Sequence, residues 1–213
     1  MRMVKHVHAC VRLVDGDRDL LIDPGTWAED AAFVGAGDVL VTHEHGDHID
    51  LDRLVAAHQA NPGLRVFMPA PVVTQVTEKA PSFAAAAHAV APGDTFTAGG
   101  FAVRAVGGAH AEIYDGLPGC ANIGYVVDDA IYHPGDSLFV PDGAVDTLLV
   151  PTCAPWLKLA EAIEFMLAVH PRRAYSIHDA MLSDKGEALI DRWLAGRGGS
   201  DYGRIAPGSA VDL

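Results

Sequence analysis

The chain has 213 residues, and it has few of the sequence features that mark membrane, secreted or disulfide-rich proteins. No apolar run approaches the roughly 20 residues of a membrane-spanning helix, which argues against a membrane protein. A basic N-terminus is not followed by a long apolar stretch with a cleavage site, so no signal peptide is predicted. The three cysteines, Cys10, Cys120 and Cys153, are too widely spaced for a disulfide framework or a CxxC site. They predict reduced thiols in a cytoplasmic protein.

Basic residues are also scarce. Fifteen Lys and Arg face 28 Asp and Glu, which gives a formal net charge of −13. Such a surface repels phosphate backbones unless a basic patch stands out, and Arg172-Arg173 is the only pair of adjacent basic residues. The charge therefore argues against nucleic acid as a partner and leaves a small-molecule substrate. Bound cations would offset part of the excess of carboxylates.

Apolar patterning predicts a mixed α/β protein. Short apolar runs bounded by turn residues predict strands at residues 4–14, 18–22, 39–42, 65–68, 95–98, 101–106, 123–127, 130–132, 147–150 and 174–177. Helical periodicity predicts helices at residues 50–59, 72–79, 157–169 and 184–196. The alanine run at 84–87 fits either structure. We find no repeat or linker, so we expect one domain over residues 1–213, with two mixed sheets flanked by helices.

The most informative segment lies directly after the strand predicted at 39–42. Its sequence, Thr-His-Glu-His-Gly-Asp-His at 42–48, holds three imidazoles and two carboxylates. His43 and His45 point to the same side of an extended chain. Gly46 permits a turn, after which the side chains of Asp47 and His48 can bind at a second position. Two adjacent binding points suit a dinuclear metal site, and these ligand types suit zinc, iron or manganese.

This H-x-H-x-D-H run resembles the hallmark of the metallo-β-lactamase superfamily. Other segments are similar to that family in the same order: Leu-Ile-Asp-Pro-Gly at 21–25, Gly-Gly-Ala-His at 107–110, His-Pro-Gly-Asp-Ser at 133–137 and Ile-His-Asp at 177–179. The likeness extends from about residue 4 to about residue 180. It implies a four-layer αβ/βα sandwich.

The resemblance also implies a ligand set and a reaction. One divalent transition-metal ion would be held by three imidazoles, a second by a carboxylate and two imidazoles, and a further carboxylate would bridge them. In that order the implied ligands are His43, His45 and His110, then Asp47, His48 and His178, then Asp136. The metal would be zinc, with Mn²⁺ or Fe²⁺ as alternatives. Metal-bound hydroxide would attack an ester, lactone, amide or phosphoester, and Asp47 and Asp136 are the predicted catalytic residues.

In length and motif spacing the chain is similar to the subgroup that includes L-ascorbate-6-phosphate lactonase and uncharacterised metal-dependent hydrolases. A sugar-phosphate substrate is not expected, since no cluster of Arg or Lys marks a phosphate pocket. A redox diiron protein is one alternative, although that branch has Glu where this chain has His45. A non-catalytic metal-binding domain is another, although a structural zinc needs only four ligands. Many relatives self-associate, so a homo-oligomer is a further expectation.

Several other residues are candidates for supporting or substrate-binding roles. His8 would contact the site or the substrate, or else lie on an exposed strand face. Asp23 is expected to brace a metal-site histidine, and Asp179 either does the same or lies in a solvated loop. Tyr114, together with Glu112, is a candidate for the substrate pocket. Trp156 either lines that pocket or fills the space beneath the following helix.

Overall fold

A computed structural model of the protein describes residues 1–117 and 119–213. Its strands are β1 Arg2–Lys5, β2 Val11–Asp15, β3 Arg18–Ile22, β4 Asp38–Leu40, β5 Arg65–Pro69, β6 Ala87–Val90, β7 Thr95–Ala98, β8 Phe101–Gly107, β9 Ile123–Val127, β10 Ile131–His133, β11 Thr147–Pro151, β12 Arg173–Ile177, β13 Asp201–Gly203 and β14 Ala210–Asp212. Its α-helices are α1 Leu51–Ala60, α2 Ala70–Lys79, α3 Leu159–Val169 and α4 Asp184–Arg197. Short 3-10 helices lie at Asp30–Phe33 and Pro81–Phe83.

The strands form two mixed sheets of seven. The first has the order β14-β1-β2-β3-β4-β5-β6 and the second β13-β12-β11-β10-β9-β8-β7. In the first sheet the pairs from β14 to β3 are antiparallel and those from β3 to β6 are parallel. In the second sheet the pairs from β7 to β10 are antiparallel and those from β10 to β13 are parallel.

Three apolar clusters separate four layers. Leu13, Ile22, Tyr125 and Leu149 belong to the cluster between the two sheets. Leu54 of α1 and Val76 of α2 pack against the outer face of the first sheet. Phe165 of α3 and Leu194 of α4 pack against the outer face of the second sheet. The αβ/βα sandwich predicted from the sequence is therefore confirmed.

The boundaries differ from the predictions at a few places. The single strand predicted at 4–14 is wrong, because residues 6–10 form a turn in which His8 has a φ of 63° and which separates β1 from β2. The alanine run at 84–87 follows the 3-10 helix Pro81–Phe83 as a turn and enters β6 at Ala87, and α3 begins at Leu159 rather than at 157. The sequence patterns missed β13 and β14, which extend the two sheets at one edge each.

The ends of several strands carry the candidate site residues. Residues 43–48 follow β4, and His110, Asp136 and His178 follow β8, β10 and β12. The turn between β1 and β2 adds His8. Both sheets therefore contribute loops to one place. None of the described helices combines the length and hydropathy that crossing a bilayer requires.

Candidate metal centre

Two groups of side chains could each hold a metal ion. In each group, one ligand atom per residue can be chosen so that all four lie within 4.8 Å of one another. The first group is His43, His45, His110 and Asp136, and the second is His8, Asp47, His48 and His178. The structure thus brings together all seven ligands that the family resemblance implies, in the two implied sets, and adds His8 to the second.

Three imidazoles donate a hydrogen bond from Nδ1 to an oxygen atom, which fixes the orientation of each ring. Nδ1 of His48 donates to a carboxylate oxygen of Asp23 at 2.7 Å. Nδ1 of His110 donates to the carbonyl of Ala111, and that of His178 to the carbonyl of Cys153, each at 2.5 Å. A proton on Nδ1 leaves the lone pair on Nε2 free for a metal ion.

The buried atoms at the centre fit such an ion. Nε2 of His48, His110 and His178 and Oδ1 of Asp136 are buried, and apart from one another and the second oxygen of Asp136 they have no hydrogen-bond partner among the described residues. Buried polar atoms are almost always satisfied, because leaving one without a partner costs about 1–3 kcal/mol. Four such atoms around one space are what an imidazole and carboxylate metal site requires, and divalent transition metals favour this donor set.

Asp136 lies between the two groups. Its carboxylate is 3.1 Å from Nε2 of His48 through Oδ1, and through Oδ2 it is 3.1 Å from Nε2 of His178 and 3.3 Å from Nε2 of His110. Nε1 of Trp156 donates to the same Oδ2 at 3.0 Å. One carboxylate that faces histidines of both groups has the position that a bridging ligand needs.

The loop that carries Asp136 passes very close to Asn122 and Thr42. Gly135 has a φ of +62°, and a Cβ at this position would lie 2.4 Å from Oδ1 of Asn122 and 2.6 Å from Cβ of Thr42. The same Asn122 oxygen accepts the backbone N–H of Asp136 at 3.0 Å. Only glycine fits this space and conformation, which explains the Gly-Asp pair of the motif.

Burial and charge act in opposite directions on the titrating groups. Burial lowers the pKa of His43 well below its usual value. At His48 burial also favours the neutral ring, but Asp136 and Asp23 outweigh it and raise the pKa to about 10. At Asp136 burial opposes ionisation, but the surrounding histidines hold its pKa far below the usual range. Imidazole charge and carboxylate charge therefore compensate each other, as metal ions would compensate the carboxylates.

His8 supports Asp47. The backbone N–H of Ala180 donates to Nδ1 of His8 at 3.3 Å, so the ring proton of a neutral His8 lies on Nε2. Nε2 then donates to Oδ2 of Asp47 at 3.2 Å. Burial opposes the ionisation of Asp47, but this hydrogen bond and the nearby histidines lower its pKa to about 2. His8 is buried, so its alternative placement on an exposed strand face is wrong.

The remaining candidates have different surroundings. Asp23 is fully buried and contacts His48, as expected of a bracing carboxylate. Asp179 is also buried, which excludes a solvated loop, but its carboxylate pairs with Lys5 and Arg204 rather than with a histidine. Tyr114 is 71% exposed and does not line either of the two cavities next to the ligand groups.

Trp156 lines the site rather than only filling space beneath α3. It contributes to a cavity of about 190 Å³ above the two groups, together with Ile113, Pro155 and Met181. A second cavity of about 410 Å³ shares His45, His110 and Ile113 with the first. Because the two cavities share these three lining residues, they adjoin next to the candidate ligands, and we call them together the cleft.

The sequence patterns did not reveal two supporting residues. Lys5 is a buried cation whose Nζ donates to the carbonyls of His6 and His8 at 3.0 and 2.6 Å. Thr42 donates its hydroxyl to Asp23 at 2.7 Å and can accept from Nδ1 of His43 at 3.0 Å. The position of Thr42 directly before His43 was a sequence signal for its supporting role. The sequence contains no comparable signal for Lys5, which lies in a strand.

Comparison with known proteins identifies the family of the chain. Residues 2–178 match the family model for the β-lactamase superfamily domain. Protein Rv0786c of Mycobacterium tuberculosis is 35% identical over 219 residues, which cover 100% of this chain and 95% of that protein. A UPF0173 metal-dependent hydrolase of Thermoplasma volcanium is 31% identical over 157 residues, 68% of this chain and 67% of the relative.

Solved structures share the fold. Igni18, a metallo hydrolase from the archaeon Ignicoccus hospitalis, has a TM-score of 0.76 and 16% identity over 99% of this chain and 97% of its own. CmlA, a diiron β-hydroxylase from Streptomyces venezuelae, has a TM-score of 0.74 and 16% identity over 100% of this chain and 54% of its own. At such identities the likeness concerns the fold alone.

Proposed function

The chain belongs to the metallo-β-lactamase superfamily, and we propose that it is a hydrolase that uses two divalent transition-metal ions to cleave a bond of a small molecule. The bond is an ester, lactone, amide or phosphoester, and the metal is zinc, with manganese or iron as alternatives. The matching family model and the metal-dependent hydrolase relative support the hydrolase class. Two ions and the activation of water by them are our own inference.

One observation carries this proposal. Nε2 of His48, His110 and His178 all lie within 3.3 Å of Asp136, and apart from this carboxylate none of the three atoms has a hydrogen-bond partner among the described residues. A structural zinc site closes with four ligands. Seven candidate ligands, one of which is a carboxylate that faces histidines of both groups, instead favour two ions with coordination positions left for water and substrate.

The chain would contribute in several ways. When bound, the metal ions would supply a water activated for attack at neutral pH and would polarise the scissile bond. Asp136 would be a ligand shared by the two groups, and Trp156 would fix its carboxylate through Nε1. Asp47 has a side chain that is 22% exposed, and His8 holds one of its oxygens. It is therefore placed to pass a proton from the attacking water to the leaving group.

The proposal is tested with a panel of chromogenic esters, lactones and phosphodiesters. We expect turnover that is lost with a chelator, restored by zinc, and lowered at least about 100-fold in His48→Ala. His88→Ala is the matched control, because His88 stacks on Phe67 in the first sheet and belongs to neither ligand group. Protein that binds two ions but turns over no member of the panel would instead favour a non-catalytic metal-binding domain.

A redox diiron protein is the second candidate, because CmlA has the same fold. His45 argues against it, since the diiron branch has a glutamate at this position. Iron content and visible colour of protein purified aerobically distinguish the two. We expect a colourless protein, and a coloured diiron protein without hydrolytic turnover would replace our proposal.

A further inference from the structure

One end of the cleft is acidic. The cavity of about 410 Å³ begins at His45 and His110 of the metal centre and continues past Glu44 and Glu112. We call this part of the cleft the acidic arm. It contains no lysine or arginine among its described lining residues, and neither does the smaller cavity above the centre. A substrate that extends from the metal ions into the arm therefore meets carboxylates and no compensating cation.

The two carboxylates have different settings. Glu44 is half-buried and is held by a hydrogen bond from the side-chain amide of Gln75 in α2, which satisfies one of its oxygens. Glu112 is exposed on the loop that follows His110. Glu44, held by Gln75, gives the arm a negative charge at a defined place, and the exposed Glu112 adds a second one. Both favour a positive group and repel an anion.

Apolar surface accompanies the carboxylates. Ile113 and Leu117 line the arm, and their side chains are 45% and 56% exposed. Exposed apolar side chains in a cleft gain free energy when a ligand covers them. At the inner end of the arm, Nε2 of His110 is buried and, apart from Asp136, has no hydrogen-bond partner among the described residues. The lining of the cleft thus combines candidate metal ligands, apolar side chains and two carboxylates.

We infer that the substrate carries a positive charge, as an ammonium or a guanidinium group, on an apolar stem that lies in the acidic arm while the scissile bond lies at the metal ions. This inference rests on the proposed function, since it assigns the substrate class of the same site. It predicts discrimination against substrates that have a carboxylate or phosphate at the end remote from the scissile bond.

Binding rather than turnover is the direct test. Three alkyl hydroxamic acids of equal chain length, ending in an ammonium, a methyl or a carboxylate group, anchor to the metal ions through the same hydroxamate. Their dissociation constants are measured by calorimetry on the zinc-loaded protein. We expect the ammonium probe to bind about 10-fold more tightly than the carboxylate probe, with a smaller ratio at high salt.

Two variants locate the source of this preference. Glu112→Gln should lower the ratio of the dissociation constant of the carboxylate probe to that of the ammonium probe several-fold. Glu44→Gln removes the other negative charge of the arm and should lower the same ratio. Glu164→Gln is the matched control, because Glu164 is an exposed carboxylate on α3 and lines neither cavity. The ratio should be unchanged in this control.

The outcomes separate the two proposals. If the methyl probe binds and the charged probes bind equally well, the inference about the arm is wrong while the metal centre stands. A ratio that falls as much in Glu164→Gln as in Glu112→Gln would also overturn it, because the effect would come from net charge alone. If none of the probes binds the zinc-loaded protein, both the arm and the proposed function are wrong.

Discussion

Oδ2 of Asp23 lies 2.7 Å from Nδ1 of His48, and neither side chain is exposed to solvent. The same carboxylate accepts the backbone N–H of Thr42 at 2.8 Å and the Thr42 hydroxyl at 2.7 Å. Thr42 in turn contacts Nδ1 of His43. A single carboxylate, itself in neither ligand group, therefore orients one histidine in each group.

Asp23→Asn tests this arrangement. The amide has one acceptor oxygen instead of two and cannot receive all three donors, so His48 loses its fixed orientation. Loss of such a supporting carboxylate weakens metal binding by roughly 10–100-fold. Competition with a chromophoric chelator measures the change. Asp19→Asn is the control, since Asp19 pairs with Arg12 at the surface of the first sheet. Unchanged zinc affinity in Asp23→Asn would show that Asp23 has no such role.

Gly25 allows the chain to pass close to the loop that carries Asp47. A Cβ at Gly25 would lie 2.0 Å from the carbonyl oxygen of Asp47, whereas one at Gly37 would meet nothing within 4 Å. Gly25→Ala should therefore displace Asp47 and His48 and lower the number of bound metal ions, while Gly37→Ala should not. Metal content and the thermal midpoint of both variants are measured in parallel. Full metal content in Gly25→Ala would contradict the account of this loop.

Lys5 and Asp179 form a buried pair behind the centre, with 1% and 10% of their side chains exposed and Nζ 3.3 Å from Oδ1. Asp179→Ala leaves the ammonium buried without a carboxylate, which should cost about 3–5 kcal/mol of unfolding free energy. Lys5→Met should also cost about 2–4 kcal/mol, because the carbonyls of His6 and His8 lose their buried donor, although Asp179 keeps Arg204 at 2.8 Å. Urea unfolding measures both, and a loss below about 1 kcal/mol in either variant would refute the stabilising role of this pair.

Much of the candidate site could be predicted because its residues are close in sequence or at strand ends. His43, His45, Asp47 and His48 lie in one turn after β4, so their mutual placement depends on local geometry. The more distant ligands followed from the order of segments in the family. Mixed sheets covered by helices followed from the order of strands and helices, since each amphipathic helix needs a sheet face to cover, and the four layers followed from the family resemblance.

Other features depend on contacts that a sequence pattern does not show. The turn at residues 6–10 contains no glycine or proline, and its fixed form depends on the distant Asp179 and on Lys5. Strands β13 and β14 have three residues each and exist because they pair with β12 and β1. The bond from Trp156 to Asp136 likewise joins two loops of the second sheet.

The metal content of the protein purified without added metal tests the central claim most directly. Elemental analysis is made on the wild-type chain and on Asp136→Ala, with circular dichroism to verify that the variant is folded. Because Asp136 faces histidines of both groups, we predict about two transition-metal ions per chain and a sharp fall in the variant. One ion per chain that is unaffected by Asp136→Ala would contradict the bridged centre.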